Sequence, residues 1–162
     1  MASRPTSGTS SKSSTSSGGV DDVRAHSAIH VLKGAIARAI GPRNFTRVGI
    51  GAVRLRSDKP LSRQEASRIE VAANNKIAED AEILEFNMER QEAEGHFGTD
   101  IYDIEPASDS RSLLEIVRIP EWDVSNCSRS HVSSTGFIGA IRIDEAGFDE
   151  HNKEIELRFH LI

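Results

Sequence analysis

Two apolar stripes of helical period, separated by a pair of short alternating runs, constrain this chain more than any other feature. Ile29, Leu32, Ile36 and Ile40 recur three or four residues apart and line one face. That spacing predicts a helix over residues 23–40, with Asp21 or Asp22 as its cap and Gly41-Pro42 as its stop. A second stripe, Ala66, Ile69, Ala73 and Ile77, follows Ser62 and Glu65, which stand at capping-box spacing. Between the stripes, residues 44–48 and 52–56 flank Gly49-Ile50-Gly51 and read as a hairpin. Residues 82–86 read as a strand, 88–94 as a short helix and 112–119 as a strand ending at Pro120. Residues 121–136, rich in Ser and Asn, read as loop, and 137–143 and 154–161 as two closing strands, antiparallel across a turn at 144–153. Helices and strands mixed without strict βαβ alternation predict an α+β fold, a mixed or antiparallel sheet with packed helices, and no internal repeat.

The first nineteen residues contain eight Ser, three Thr and three Gly, no acid and almost nothing to bury. Such a segment cannot offset its ordering entropy, so a disordered tail is expected over 1–20 and a single domain over 21–162. One Cys excludes an internal disulfide scaffold and suits a reducing compartment. No apolar stretch approaches the ~20 residues that span a bilayer, and no leader-like segment opens the chain. The expectation is a cytoplasmic protein without a membrane partner.

A formal net charge of −5 argues at first against nucleic acid. The average hides a split. Residues 33–68 hold nine basic side chains (Lys33, Arg38, Arg43, Arg47, Arg54, Arg56, Lys59, Arg63 and Arg68) against Asp58 and Glu65, whereas 69–126 hold four basic and fifteen acidic. A chain so divided can present a basic face to RNA while staying acidic overall.

His26 and His30 stand four residues apart on the first helix, about 40° apart around its axis, so both imidazoles can reach one metal ion. Alone the pair is weak. Cys127 and His131 form a second pair in the Ser-rich stretch, and thiolate with imidazole favours zinc over magnesium or calcium. Four candidate ligands from two distant segments point to zinc far more specifically than either pair. Catalytic zinc commonly keeps one position open, which leaves His131 as either a ligand or a residue beside the ligands.

The chain resembles the freestanding alanyl-tRNA editing proteins of the AlaX type, which are similar to the editing domains of alanyl- and threonyl-tRNA synthetases. The resemblance covers about residues 24–162. It rests on His26-Ser-Ala-Ile-His30-Val-Leu-Lys-Gly, on Met88-Glu-Arg-Gln-Glu-Ala-Glu-Gly-His-Phe-Gly with Asp100-Ile-Tyr102, on Trp122-Asp-Val-Ser-Asn-Cys127-Ser-Arg-Ser-His131-Val, on Ser134-Thr-Gly136-Phe-Ile-Gly139, and on Glu154-Ile-Glu-Leu-Arg-Phe. It resembles the short form, without the additional N-terminal barrel. The resemblance implies hydrolysis of the ester in mischarged aminoacyl-tRNA, chiefly seryl-tRNA(Ala), with Zn2+ held by His26, His30, Cys127 and His131. It also implies that Thr46 recognises the seryl hydroxyl.

Two departures bear on specificity. Ser128-Arg129-Ser130 stands where the synthetase domains usually have Gly-Gly-Thr, and the hairpin after Thr46 is several residues shorter. Two alternatives therefore stand beside the seryl-tRNA reading: a noncatalytic tRNA-binding module stapled by structural zinc, and a deacylase of the same fold for another aminoacyl-tRNA. Trp122 reads as a core anchor or a stacking platform for the terminal adenine, Met88 and Phe97 as core, and His96, His151 and His160 as surface or strand residues.

Overall fold

The computed structural model describes residues 10–41, 44–104 and 112–162, with side chains from residue 21 onward. Helix α1 (Ser10–Ile40) leads into a hairpin of β1 (Phe45–Gly49) and β2 (Ala52–Arg56), then α2 (Arg63–Ala78). There follow β3 (Leu84–Glu89), α3 (Arg90–Phe97), β4 (Leu113–Ile119), β5 (Asp123–Asn126), β6 (Ile141–Asp149) and β7 (Glu154–Leu161). The strands form two antiparallel sheets, ordered β1-β2-β7-β6 and β3-β4-β5. The fold is α+β, as the mixed periodicity requires.

Local chemistry sets the element ends. Gly41 adopts φ 87° and its N–H donates to the Ala37 carbonyl at 2.9 Å, closing α1 in the left-handed conformation that glycine tolerates. At the start of α2 the Ser62 hydroxyl accepts from the Glu65 N–H at 3.0 Å, and the Glu65 carboxylate accepts from the Ser62 N–H at 3.2 Å. Ile29, Leu32 and Ile36 from α1 and Ile69, Ala73 and Ile77 from α2 meet Val53, Leu55, Ile155, Leu157 and Phe159 in one core. Strand β4 is buried on both faces. Val117 and Ile119 join that core, while Leu114 and Ile116 pack with Ala93 and Ile101 in a second cluster that Met88 and Phe97 flank.

Several elements differ from the sequence expectation. Helix α1 begins at Ser10, so Asp21 and Asp22 lie inside it and cap nothing; Asp21 instead lies 3.8 Å from Arg24. Extending an existing helix costs far less than nucleating one. Of the tail expected over 1–20, residues 1–9 lie outside the described residues, and residues 10–20 are helical as the first part of α1. Helix α3 starts two residues late, leaving Met88 in β3.

The stretch 121–136 is not all loop. Its first part is β5, which pairs with β4 from Ile116↔Asn126 to Ile119↔Asp123. Asp-Val-Ser-Asn carries little strand propensity; the turn at Glu121 (φ 59°) and the Trp122 N–H bond to Ile119 O at 2.9 Å fold it back onto β4. The last hairpin is also displaced. Residues 135–138 form a 3-10 turn, Gly139 (φ 96°) breaks the extension, and β6 starts at Ile141 and runs past a bulge at 143–145 to Asp149. The connecting turn is therefore only 150–153.

Candidate metal centre

The centre lies where two periodicities meet. On α1, His26, His30 and Lys33 share one face at helical spacing; on β5 and its continuation, Asp123, Ser125 and Cys127 share one face at strand spacing. Three contacts join the two faces. His26 Nε2 lies 2.9 Å from Cys127 Sγ, His30 Nδ1 lies 3.0 Å from Asp123 Oδ2, and Lys33 Nζ donates to Ser125 Oγ at 2.6 Å. His131 completes the cluster from the loop after β5, its Nε2 3.0 Å from His30 Nε2.

That loop is anchored at both ends. The Cys127 N–H donates to Glu115 O at 2.9 Å on β4. Ser27, fully buried on α1, accepts from the Val132 N–H at 2.9 Å and donates to Val23 O at 2.7 Å. Thr135 Oγ1 donates to Lys76 O at 2.8 Å and accepts from the Ala81 N–H at 2.8 Å, which satisfies the C-terminal end of α2. His131 thus reaches the histidines of α1 without a strand of its own.

One ligand atom from each of His26, His30, Cys127 and His131 lies within 4.8 Å of the others, so the four can hold one metal ion. In a tetrahedral zinc site, bond lengths of ~2.0–2.3 Å separate neighbouring donors by roughly 3.3–3.7 Å. Contacts of 2.9 and 3.0 Å between donors of this cluster need only a small expansion to match. Three imidazoles and one sulfur are also the chemistry zinc prefers.

The surroundings are charged although enclosed. Burial pushes the Cys127 thiol up, but hydrogen bonds from His131, His26 and His30 overcome it and bring the thiol down from 9.0 to about 3. Burial pushes the His30 imidazole down, and the Asp123 carboxylate and the Cys127 sulfur outweigh it, holding His30 above its ordinary 6.5. Asp123 in turn would be driven up by burial, yet Lys33 and His30 keep it below the usual carboxylate range. Lys33 itself is 5% exposed and also contacts the Asp103 carboxylate. Glu85 of β3 brings a carboxylate oxygen to 3.5 Å from His131 Nδ1.

Thr46 does not belong to the four-residue cluster. It is the extra residue of a bulge in β1, between the pairs Phe45↔Leu55 and Arg47↔Arg54, and its Oγ1 is buried without a hydrogen-bond partner. A bulge re-aims a side chain away from the face that regular alternation would give it. The adjacent Phe45 ring lies 6.0 Å from Lys33 Nζ, so this end of β1 borders the charged network around the centre.

The basic segment is only partly a surface. Lys33 is buried, Arg38 stacks 4.0 Å from the Trp122 ring, and Arg54 pairs with Glu156 at 2.6 Å. Arg43 lies outside the described residues, and Arg47, Arg56, Lys59, Arg63 and Arg68 are exposed. Trp122 is a core anchor. Its indole N–H donates to Val31 O at 2.9 Å over Gly34, with Lys76 4.7 Å away on the ring. His96, His151 and His160 are exposed, His160 beside Asp144 at 2.7 Å.

Sequence reasoning named the four residues that the structure brings together and missed what surrounds them: Lys33 as a buried cation beside Asp123, Ser125 and Asp103, and Glu85 beside His131. The alternation Asp123, Ser125, Cys127 was the available signal, hidden because the segment reads as loop.

No protein-family model matches the chain. It is similar to curated alanine-tRNA ligases. The identity is 33% over 127 residues with that of Ignicoccus hospitalis, covering 75% of this chain and 14% of the ligase. With that of Thermofilum pendens it is 31% over 134 residues, or 79% and 14%. With that of Pyrococcus abyssi it is 30% over 136 residues, or 76% and 14%. The chain therefore matches one segment, about 14% of the length of these relatives.

Proposed function

Because this chain is an alanyl-tRNA synthetase editing-domain-like protein, homologous to one segment of the synthetase, we propose that it is a hydrolase of mischarged aminoacyl-tRNA, with seryl-tRNA(Ala) as its substrate and zinc at the His26, His30, Cys127 and His131 cluster. The observation that carries the reading is the convergence of those four donors, from segments about a hundred residues apart, in a chain with this homology. Bound zinc supplies a Lewis acid that polarises an ester carbonyl, or a water whose pKa falls to ~7.

The chain's own residues account for the rest. Hydrolysis adds water across the ester, releasing the amino acid as its carboxylate and restoring the tRNA terminal hydroxyl. His26, His30, Cys127 and His131 would hold the ion. Thr46 Oγ1, buried and unpartnered, is available to the seryl hydroxyl. Alanine has no hydroxyl, so it would leave Thr46 unpaired, and sites of this kind reject the analogue strongly. Exposed Arg47, Arg56, Lys59, Arg63 and Arg68 supply positive charge for the tRNA backbone.

The test is deacylation of seryl-tRNA(Ala) by wild type, His30→Ala, Cys127→Ala and Thr46→Val. The two metal-ligand variants should lose activity by 100-fold or more; unchanged rates in both would sink the reading. Thr46→Val should narrow the preference for seryl- over alanyl-tRNA while leaving metal content intact. Four converging donors also suit a closed structural zinc site, the basis of the tRNA-binding alternative. Multiple turnovers per enzyme would exclude that alternative.

A further inference from the structure

Lys33 is a cation with no access to solvent-borne phosphate. It is 5% exposed, donates to Ser125 Oγ at 2.6 Å, contacts the Asp103 carboxylate and lies 3.8 Å from Asp123 Oδ1. The other oxygen of Asp123 accepts from Ser125 Oγ at 2.9 Å and from His30 Nδ1 at 3.0 Å. Both oxygens of one enclosed carboxylate are therefore committed, one towards the buried ammonium and one to the histidine.

We infer that Lys33, Asp123 and Ser125 form a positioning network for the metal centre: Asp123 holds His30 by Nδ1 so that Nε2 faces the ion, and Lys33, with Ser125, keeps the Asp123 carboxylate in place. Two physical arguments support this. A carboxylate enclosed at this depth needs a counter-charge, because an unpaired buried charge is strongly disfavoured. A carboxylate on the far nitrogen of a ligating histidine fixes its tautomer and its orientation, and loss of such a partner typically lowers metal affinity 10–100-fold. The sequence places the parts at matching repeats: Lys33 is three residues beyond His30 on the helix, and Ser125 two beyond Asp123 on the strand. Lys33 thereby leaves the set of tRNA-contacting bases and joins the centre. The inference rests on the metal-centre reading but not on the identity of the aminoacyl group.

The experiment measures cobalt(II) and zinc affinity by chelator competition, with the visible spectrum of the cobalt form, for wild type, Asp123→Asn, Lys33→Met and the double variant. Thermal melts of the metal-free proteins report folding separately. The double variant leaves no enclosed charge at the Asp123 position, only the partly exposed Asp103 without its ammonium, and should melt near wild type, yet bind metal 10–100-fold more weakly with an altered cobalt spectrum. Metal affinity and spectrum equal to wild type in both Asp123→Asn and the double variant would overturn the inference and leave the network purely structural. Failure of wild type to bind either ion would instead sink the metal-centre reading itself. Uncharged tRNA should bind Lys33→Met as it binds wild type; weakened tRNA binding with metal affinity unchanged would return Lys33 to the RNA surface.

Discussion

The one thiol in the chain carries a strongly displaced ionisation. Cys127 is held at about 3 by His131, His26 and His30 against the upward push of burial. Metal-free protein should therefore alkylate at Cys127 with iodoacetamide at pH 6, where an ordinary thiol is almost entirely protonated, and zinc should protect it. The sign for stability follows from a folded pKa below the ordinary 9.0. The stabilisation is fully present above pH 9, shrinks as the pH falls, and is gone once the pH passes below about 3. Alkylation that rises only near pH 9 would contradict the arrangement. The residue's place as a candidate donor was legible from Cys127-Ser-Arg-Ser-His131; its ionisation was not. Three imidazoles around one sulfur exist only after residues 26–30 and 127–131 meet.

At the scale of elements, α1 and β5 matter most, because their two faces build the centre. Trp122, at the entry to β5, is locked over Gly34, where an added Cβ would fall 2.3 Å from the indole nitrogen. Gly→Ala inside an exposed helix ordinarily stabilises by up to ~1 kcal/mol. Here Gly34→Ala should instead destabilise by about 1–3 kcal/mol through overpacking, measurable by thermal melt. The chain's single Trp should report its displacement in fluorescence. A more stable Gly34→Ala protein would show that the indole packing does not hold β5. The helix stop at Gly41 and the capping box at Ser62 and Glu65 were readable, since each depends on a few adjacent residues. Strand β5 was not readable, because its pairing with β4 overrides its own weak propensity.

At the scale of the whole molecule, charge along the chain and charge in space differ. The basic segment 33–68 contributes Lys33 to the interior and Arg54 to an ion pair, while Arg38, stacked on Trp122, and Arg47, Arg56, Lys59, Arg63 and Arg68 are exposed. Charge reversal at Arg63 and Arg68 should weaken tRNA binding and flatten its salt dependence by about 1 for each phosphate no longer neutralised. Unchanged binding and slope would move the tRNA surface elsewhere. The sequence by itself determined the helix faces, their stops, the first hairpin and the four candidate donor residues, because periodicity, turn sterics and donor chemistry act over a few residues. Only the tertiary structure decided that the two donor pairs converge, that Thr46 sits in a bulge with its hydroxyl unpaired, and that Lys33 turns inward to Asp123. Those outcomes depend on which distant segments share a dry interior, where a lysine is stable only beside the carboxylates that the packing brings to it.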